Sequence, residues 1–77
     1  MKERFIDQDT PILPWLIAEQ LGANQDEVEY LCNRAHRHYN QSKTFRKAIR
    51  AGGNNGRDKL IVFMDHWLQA ERKRRGE

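Results

Sequence analysis

The tetrapeptide Asn24-Gln25-Asp26-Glu27, set just after Gly22, restricts this chain more than any other stretch. An Asn followed three residues later by Glu forms a capping box, in which each side chain takes the other residue's backbone N–H at the start of a helix. The apolar residues that follow, Val28, Leu31, Cys32, Ala35 and Tyr39, recur at helical spacing. A helix from residue 25 to about His38 is therefore predicted, with Gly22 ending the helix before it. Acids in a first turn suit the helix dipole, which gives Asp26 and Glu27 a structural reason to be there.

Three further helices follow from the same kind of punctuation. The first is expected from Thr10 or Pro11 to Leu21, with Pro11 and Pro14 confined to its opening turn and Leu13, Leu16, Ile17 and Leu21 on one face. The third is expected from a Ser42 N-cap through Ala51, closed by Gly52 and Gly53, with Phe45, Ala48 and Ile49 inward. The stretch GGNNG reads as a flexible turn in which Asn55 caps a fourth helix. That helix runs from about Arg57 to Arg72 and buries Leu60, Ile61, Met64, Trp67 and Leu68. No segment alternates with the period of a half-buried strand. The expected fold is all-α: a bundle of about four short helices with a tight corner between the first two. Leu21, Val28, Leu31, Ala35, Phe45, Ile49, Leu60, Met64, Trp67 and Leu68 should form its core.

At 77 residues the chain suffices for one domain with one small core. Residues 1–9 read as an arm held by Phe5 and Ile6, residues 10–72 as the domain, and residues 73–77 as a basic tail. No run is long and apolar enough for a membrane span, and the start MKERFIDQDT lacks the apolar stretch of a secretory signal. With a single cysteine, Cys32, the expected setting is the cytosol.

Charge is divided unevenly. Residues 1–31 carry two basic side chains against seven acids, a net of −5, and residues 32–77 carry twelve against four, a net of +8. Such a division points to a polyanionic partner for the second half, unless the two halves neutralise each other within the fold. From Arg34 to Lys59 the only acid is Asp58, and the basic residues Arg34, Arg37, Lys43, Arg46, Lys47, Arg50, Arg57 and Lys59 form the candidate nucleic-acid surface. At helix spacing Lys43, Lys47 and Arg50 share a face, with Arg46 beside it. ERKRR, residues 71–75, extends the basic character.

Residues 15–31 also carry a resemblance. Ile17 and Ala18 in the first helix, Leu21 and Gly22 at the turn, and Val28 and Leu31 in the second helix resemble the helix-turn-helix proteins of the phage repressor type. The resemblance implies a DNA-binding unit whose second helix faces the groove with Asn24, Gln25, Asp26, Glu29, Tyr30 and Asn33. Asn and Gln can read adenine and an acid can accept from cytosine. Yet Asp26, Glu27 and Glu29 give that helix the wrong sign for phosphates. Asn24, Gln25, Tyr30 and Asn33 are accordingly secondary candidates, behind the basic segment.

No enzyme motif is present: there is no Gly-flanked serine, no motif-placed carboxylate pair and no phosphate-binding loop of the Walker type. Cys32 and His36 are one helical turn apart, but with His38 and His66 as the only other histidines they fall short of a paired zinc set, so no metal or other cofactor is expected. Two readings follow. In one, the protein is a small regulator binding nucleic acid, DNA before RNA, because stacking aromatics are scarce in the basic segment. In the other it is an adaptor or inhibitor whose acidic and basic faces dock on a protein partner or a second copy.

Overall fold

The computed structural model describes residues 5–7, 12–51 and 54–76. Over these the chain is all-α, with helices α1 (Pro14–Gln20), α2 (Gln25–Gln41), α3 (Lys43–Ala51) and α4 (Asn54–Arg74) and no strand among the described residues. Helix α2 touches the other three, whereas α1 and α3 do not meet. The longest dimension, 36 Å, reflects α4, whose 21 residues span about 31 Å at the rise of an α-helix.

Helix α1 begins later than its sequence suggests. Leu13 is extended (φ −106°, ψ 103°) and Pro14 opens the helix. A proline ring crowds the residue before it out of the helical region, so a helix through Leu13 is disfavoured. Thr10 and Pro11 lie outside the described residues. The buried side of α1 is Pro14, Ile17 and Ala18, while Leu16, expected inward, is 39 % exposed. Gly22, at φ 81°, then turns the chain in a conformation costly for other residues.

The capping box of α2 forms in full. Asn24 Oδ1 accepts the Glu27 N–H at 2.9 Å, and the Asn24 N–H donates to Glu27 Oε1 at 2.9 Å. The helix continues three residues past His38 to Gln41, because no loop intervenes before α3. Ser42, extended, ends α2, and its Oγ accepts the Phe45 N–H at 3.1 Å. One residue thus ends one helix and caps the next.

Helix α4 starts three residues before Arg57, which places Asn55 inside the helix and not at its cap. Gly52 and Gly53 lie outside the described residues. Gly56 accounts for the early start: it is buried, and a Cβ built on it would stand 2.1 Å from the Ile49 carbonyl oxygen. Without a side chain, the first turn of α4 can rest directly on the backbone of α3. The glycine read as turn flexibility is a packing residue.

The core joins Leu31, Ala35 and Tyr39 of α2 to Phe45 and Ile49 of α3, Leu60, Met64, Trp67 and Leu68 of α4, and Ile17 and Ala18 of α1. Eight of the ten expected core residues are buried; Leu21 and Val28 pack at the edge. Of the N-terminal segment, Ile6 is buried and donates its N–H to the Ile12 carbonyl at 2.9 Å, while Phe5 remains 50 % exposed. The Tyr39 hydroxyl donates to the Asp7 carboxylate at 2.9 Å.

Two consequences can be measured by thermal or urea unfolding. Gly56→Ala, normally favourable within a helix, should destabilise by about 1–3 kcal/mol because the α3–α4 contact must open. Leu31→Ala or Leu68→Ala should each cost roughly 2–5 kcal/mol.

Candidate nucleic-acid interface

The three acids at the start of α2 have separate fates. Asp26 and Glu29 are exposed, but Glu27 is only 3 % exposed. Arg72 of α4 grips its carboxylate with two bonds, Nε to Oε2 and Nη2 to Oε1, both at 3.0 Å, and Arg75 Nη2 donates to Oε2. Arg72 also donates to the Gly22 carbonyl at 3.1 Å. These arginine bonds, led by Arg72, and the Asn24 N–H hold the Glu27 carboxyl down at about 2 against the opposing effect of burial. Two positive charges of the ERKRR segment are therefore used inside the molecule, and a third, Arg74, meets Glu71 at 2.5 Å.

Other exposed cations lie on α3. Helix α3 contains no acid; it buries Phe45 and Ile49 and turns Lys43, Lys47 and Arg50 to solvent. This is the face expected from their spacing. Arg46 beside it is half-buried and donates Nη1 to the carbonyls of Tyr39 (3.4 Å) and Asn40 (3.3 Å), covering the C-terminus of α2. Arg57 is also committed internally, donating to Gln20 Oε1 at 2.8 Å and so tying α4 to the end of α1. Lys59 and Arg37 are exposed.

Arg34 sits differently from all of these. Its Nη1 donates to the Tyr30 hydroxyl at 2.6 Å, and its guanidinium lies 4.9 Å from the centroid of the Trp67 ring. Tyr30, Arg34, Arg37, His38 and Gln41 surround a shallow depression on α2 that includes no acid. Beside it, Phe63 of α4 is 41 % exposed and its ring centroid lies 6.2 Å from that of His38 and 4.9 Å from that of Phe45. Sequence reasoning passed over His38, Gln41 and Phe63 as surface-forming residues, and placed Trp67 in the core without its contact to Arg34. Phe63 and Trp67 are one turn apart on α4, as Arg34 and His38 are on α2, but only the packing of the two helices brings the pairs together.

Of the secondary candidates, Gln25 and Asn33 are exposed, Tyr30 is half-buried, and the side-chain oxygen of Asn24 is committed to its cap. Burial pushes the Cys32 thiol up to about 11, leaving it protonated near neutrality. Among the described residues no three His, Cys, Asp or Glu side chains converge on a common point, and no helix is long and apolar enough to cross a membrane. Comparison with family models, curated proteins and solved structures finds no match.

The Glu27 site has a defined pH signature. Its folded pKa lies below the ordinary 4.5, so the unfolded chain takes up this proton first as the pH falls. The stability it supplies is complete above about 4.5 and is lost as the pH drops towards about 2. Glu27→Gln should cost about 2 kcal/mol at neutral pH, less than a fully buried pair because both arginines keep access to water. The variant should also show a flatter melting temperature than the parent across that acid window.

Proposed function

We propose that this protein is a small regulator that binds DNA, with α3 as its principal contact to the phosphate backbone. The observation that carries the reading is the outward face of α3, where Lys43, Lys47 and Arg50 are exposed in a helix without a single acid. Lys59 and Arg37 add exposed positive charge of the same sign. Burial of Glu27 under Arg72 and Arg75 removes one negative charge from the helix that precedes this surface. Asp26 and Glu29 remain exposed there, which disfavours α2 as the element set deep in a groove.

In this reading the α1–α2 corner resembles a helix-turn-helix in its glycine turn and close packing, and it acts as the platform for α3. Duplex DNA is the proposed target and the cytosol the proposed setting. A protein partner is the second reading, favoured by exposed apolar side chains on α4, Val62 at 69 % and Phe63 at 41 %.

Titration of random-sequence duplex DNA at several salt concentrations tests the proposal. Binding should weaken steeply with salt, and Lys43→Gln with Lys47→Gln should lower the slope of log affinity against log salt by about 2, near 0.9 for each phosphate that is no longer neutralised. Gln25→Ala with Asn33→Ala should leave the slope unchanged. Absence of binding at low salt would favour the protein-partner reading.

A further inference from the structure

The depression on α2 and the ring beside it have properties that a phosphate-binding surface alone does not need. Arg34 is exposed, yet it is held at two points: a hydrogen bond to Tyr30 and the face of Trp67. Fixing an exposed arginine in one geometry normally costs rotamer entropy, and here the folded protein has met that cost before any ligand arrives. Its remaining N–H donors have no acceptor among the described residues, and neither Arg34 nor Arg37 meets a carboxylate there. Gln41 at the edge can both donate and accept. The partly exposed Phe63 ring lies 6.2 Å from the ring of His38, which lines the same depression, and packs on Phe45 and Trp67 at centroid distances of 4.9 and 6.0 Å. A partly exposed aromatic ring near a depression lined by two arginines that meet no carboxylate among the described residues suits a ligand that is flat at one end and anionic at the other.

We propose that Arg34, Arg37, Gln41 and Phe63 form a site for one unpaired nucleotide, its phosphate on the guanidinium groups and its base stacked on Phe63. The inference rests on the nucleic-acid reading and refines it. The preferred target is DNA in which a duplex gives way to a single strand, because paired bases within a duplex do not offer their faces to a side chain. Gln41 lies two residues before Lys43, the first residue of α3. A strand whose phosphates run along α3 can therefore leave the duplex at the α2–α3 corner and reach the ring. Tyr30 and Trp67 act as positioning residues for Arg34. An acidic protein segment with an apolar anchor is the competing occupant; guanidinium groups take carboxylate and phosphate alike, and it is the aromatic ring, on which a base can stack, that favours the nucleotide.

Fluorescence anisotropy with two DNA probes of identical duplex sequence, one blunt and one with a short single-stranded extension, tests the proposal. The extended probe should bind about tenfold more tightly, within the range that one base stacked on an aromatic ring contributes. Phe63→Leu, which keeps apolar bulk and removes the flat face, should abolish that preference and leave affinity for the blunt probe and its salt slope unchanged. Arg34→Lys should reduce the preference in the same direction, since lysine cannot make the two-pronged contact. Equal affinity of the parent protein for both probes would overturn the nucleotide site and leave the DNA reading intact. An extended-probe preference that survives Phe63→Leu would overturn the assignment to this ring. Failure to bind either probe at low salt would overturn both the site and the reading on which it rests. Circular dichroism of each variant, expected to match the parent, separates these outcomes from loss of fold.

Discussion

The carboxylate of Glu27 joins three parts of the chain: the cap of α2, the turn before it and the C-terminal end of α4. It accepts the Asn24 N–H and so completes the cap of α2, and it takes Arg72 and Arg75 from the far end of α4. Arg72 extends the same network to the Gly22 carbonyl, in the turn between α1 and α2. The network spans residues 45 and 48 apart in sequence. A buried charge is unfavourable unless it is both paired and hydrogen-bonded, and here both conditions hold. The arrangement also favours one placement of α4: a shift of its C-terminus would take Arg72 away from both the carboxylate and the Gly22 carbonyl.

This network explains why charge counting along the sequence overstates the electrostatic division of the molecule. The halves at −5 and +8 partly neutralise each other through Glu27 with Arg72 and Arg75, as the alternative to a polyanionic partner requires. The neutralisation is local, however. It consumes charge at the C-terminal end of α4 and leaves the outward face of α3 basic and without acids. The position of the exposed charge, and not its total, supports the proposed binding surface.

The parts of the fold that could be read in advance are those set by short-range chemistry. The Asn24–Glu27 box, the Ser42 cap and the stripe through Leu31, Ala35 and Tyr39 are each written within one or two turns. The start of α1 was obscured by two prolines, either of which fits a first turn; only Pro14 is seen to open the helix. Gly56 was unreadable because its role depends on the Ile49 carbonyl across a helix–helix contact, while its neighbours spell a turn. The site divides in the same way. The exposure of Lys43, Lys47 and Arg50 follows from periodicity, but the internal bonds of Arg46 and Arg57 and the meeting of Arg34 with Trp67 exist only once the helices pack.

With Arg37 as an exception, the two kinds of cation are used differently among the described residues. Arg34, Arg46, Arg57, Arg72, Arg74 and Arg75 each donate to an acceptor within the protein, Arg46 and Arg72 to more than one. The side chains of Lys43, Lys47, Lys59 and Lys73 are exposed and make no hydrogen bond or ion pair with the described residues. The planar guanidinium, with five donors in a fixed fork, can satisfy several fixed acceptors at a helix end, whereas the compact, strongly hydrated ammonium gains more by staying in water. A phosphate contact made by such lysines depends on charge and position but carries no base sequence. On the proposed DNA-binding reading, the contacts of these lysines would not choose among sequences, and selectivity would come from the form of the ligand. On the same proposal it is Arg34, fixed against Trp67 and bonded to Tyr30, that would supply it.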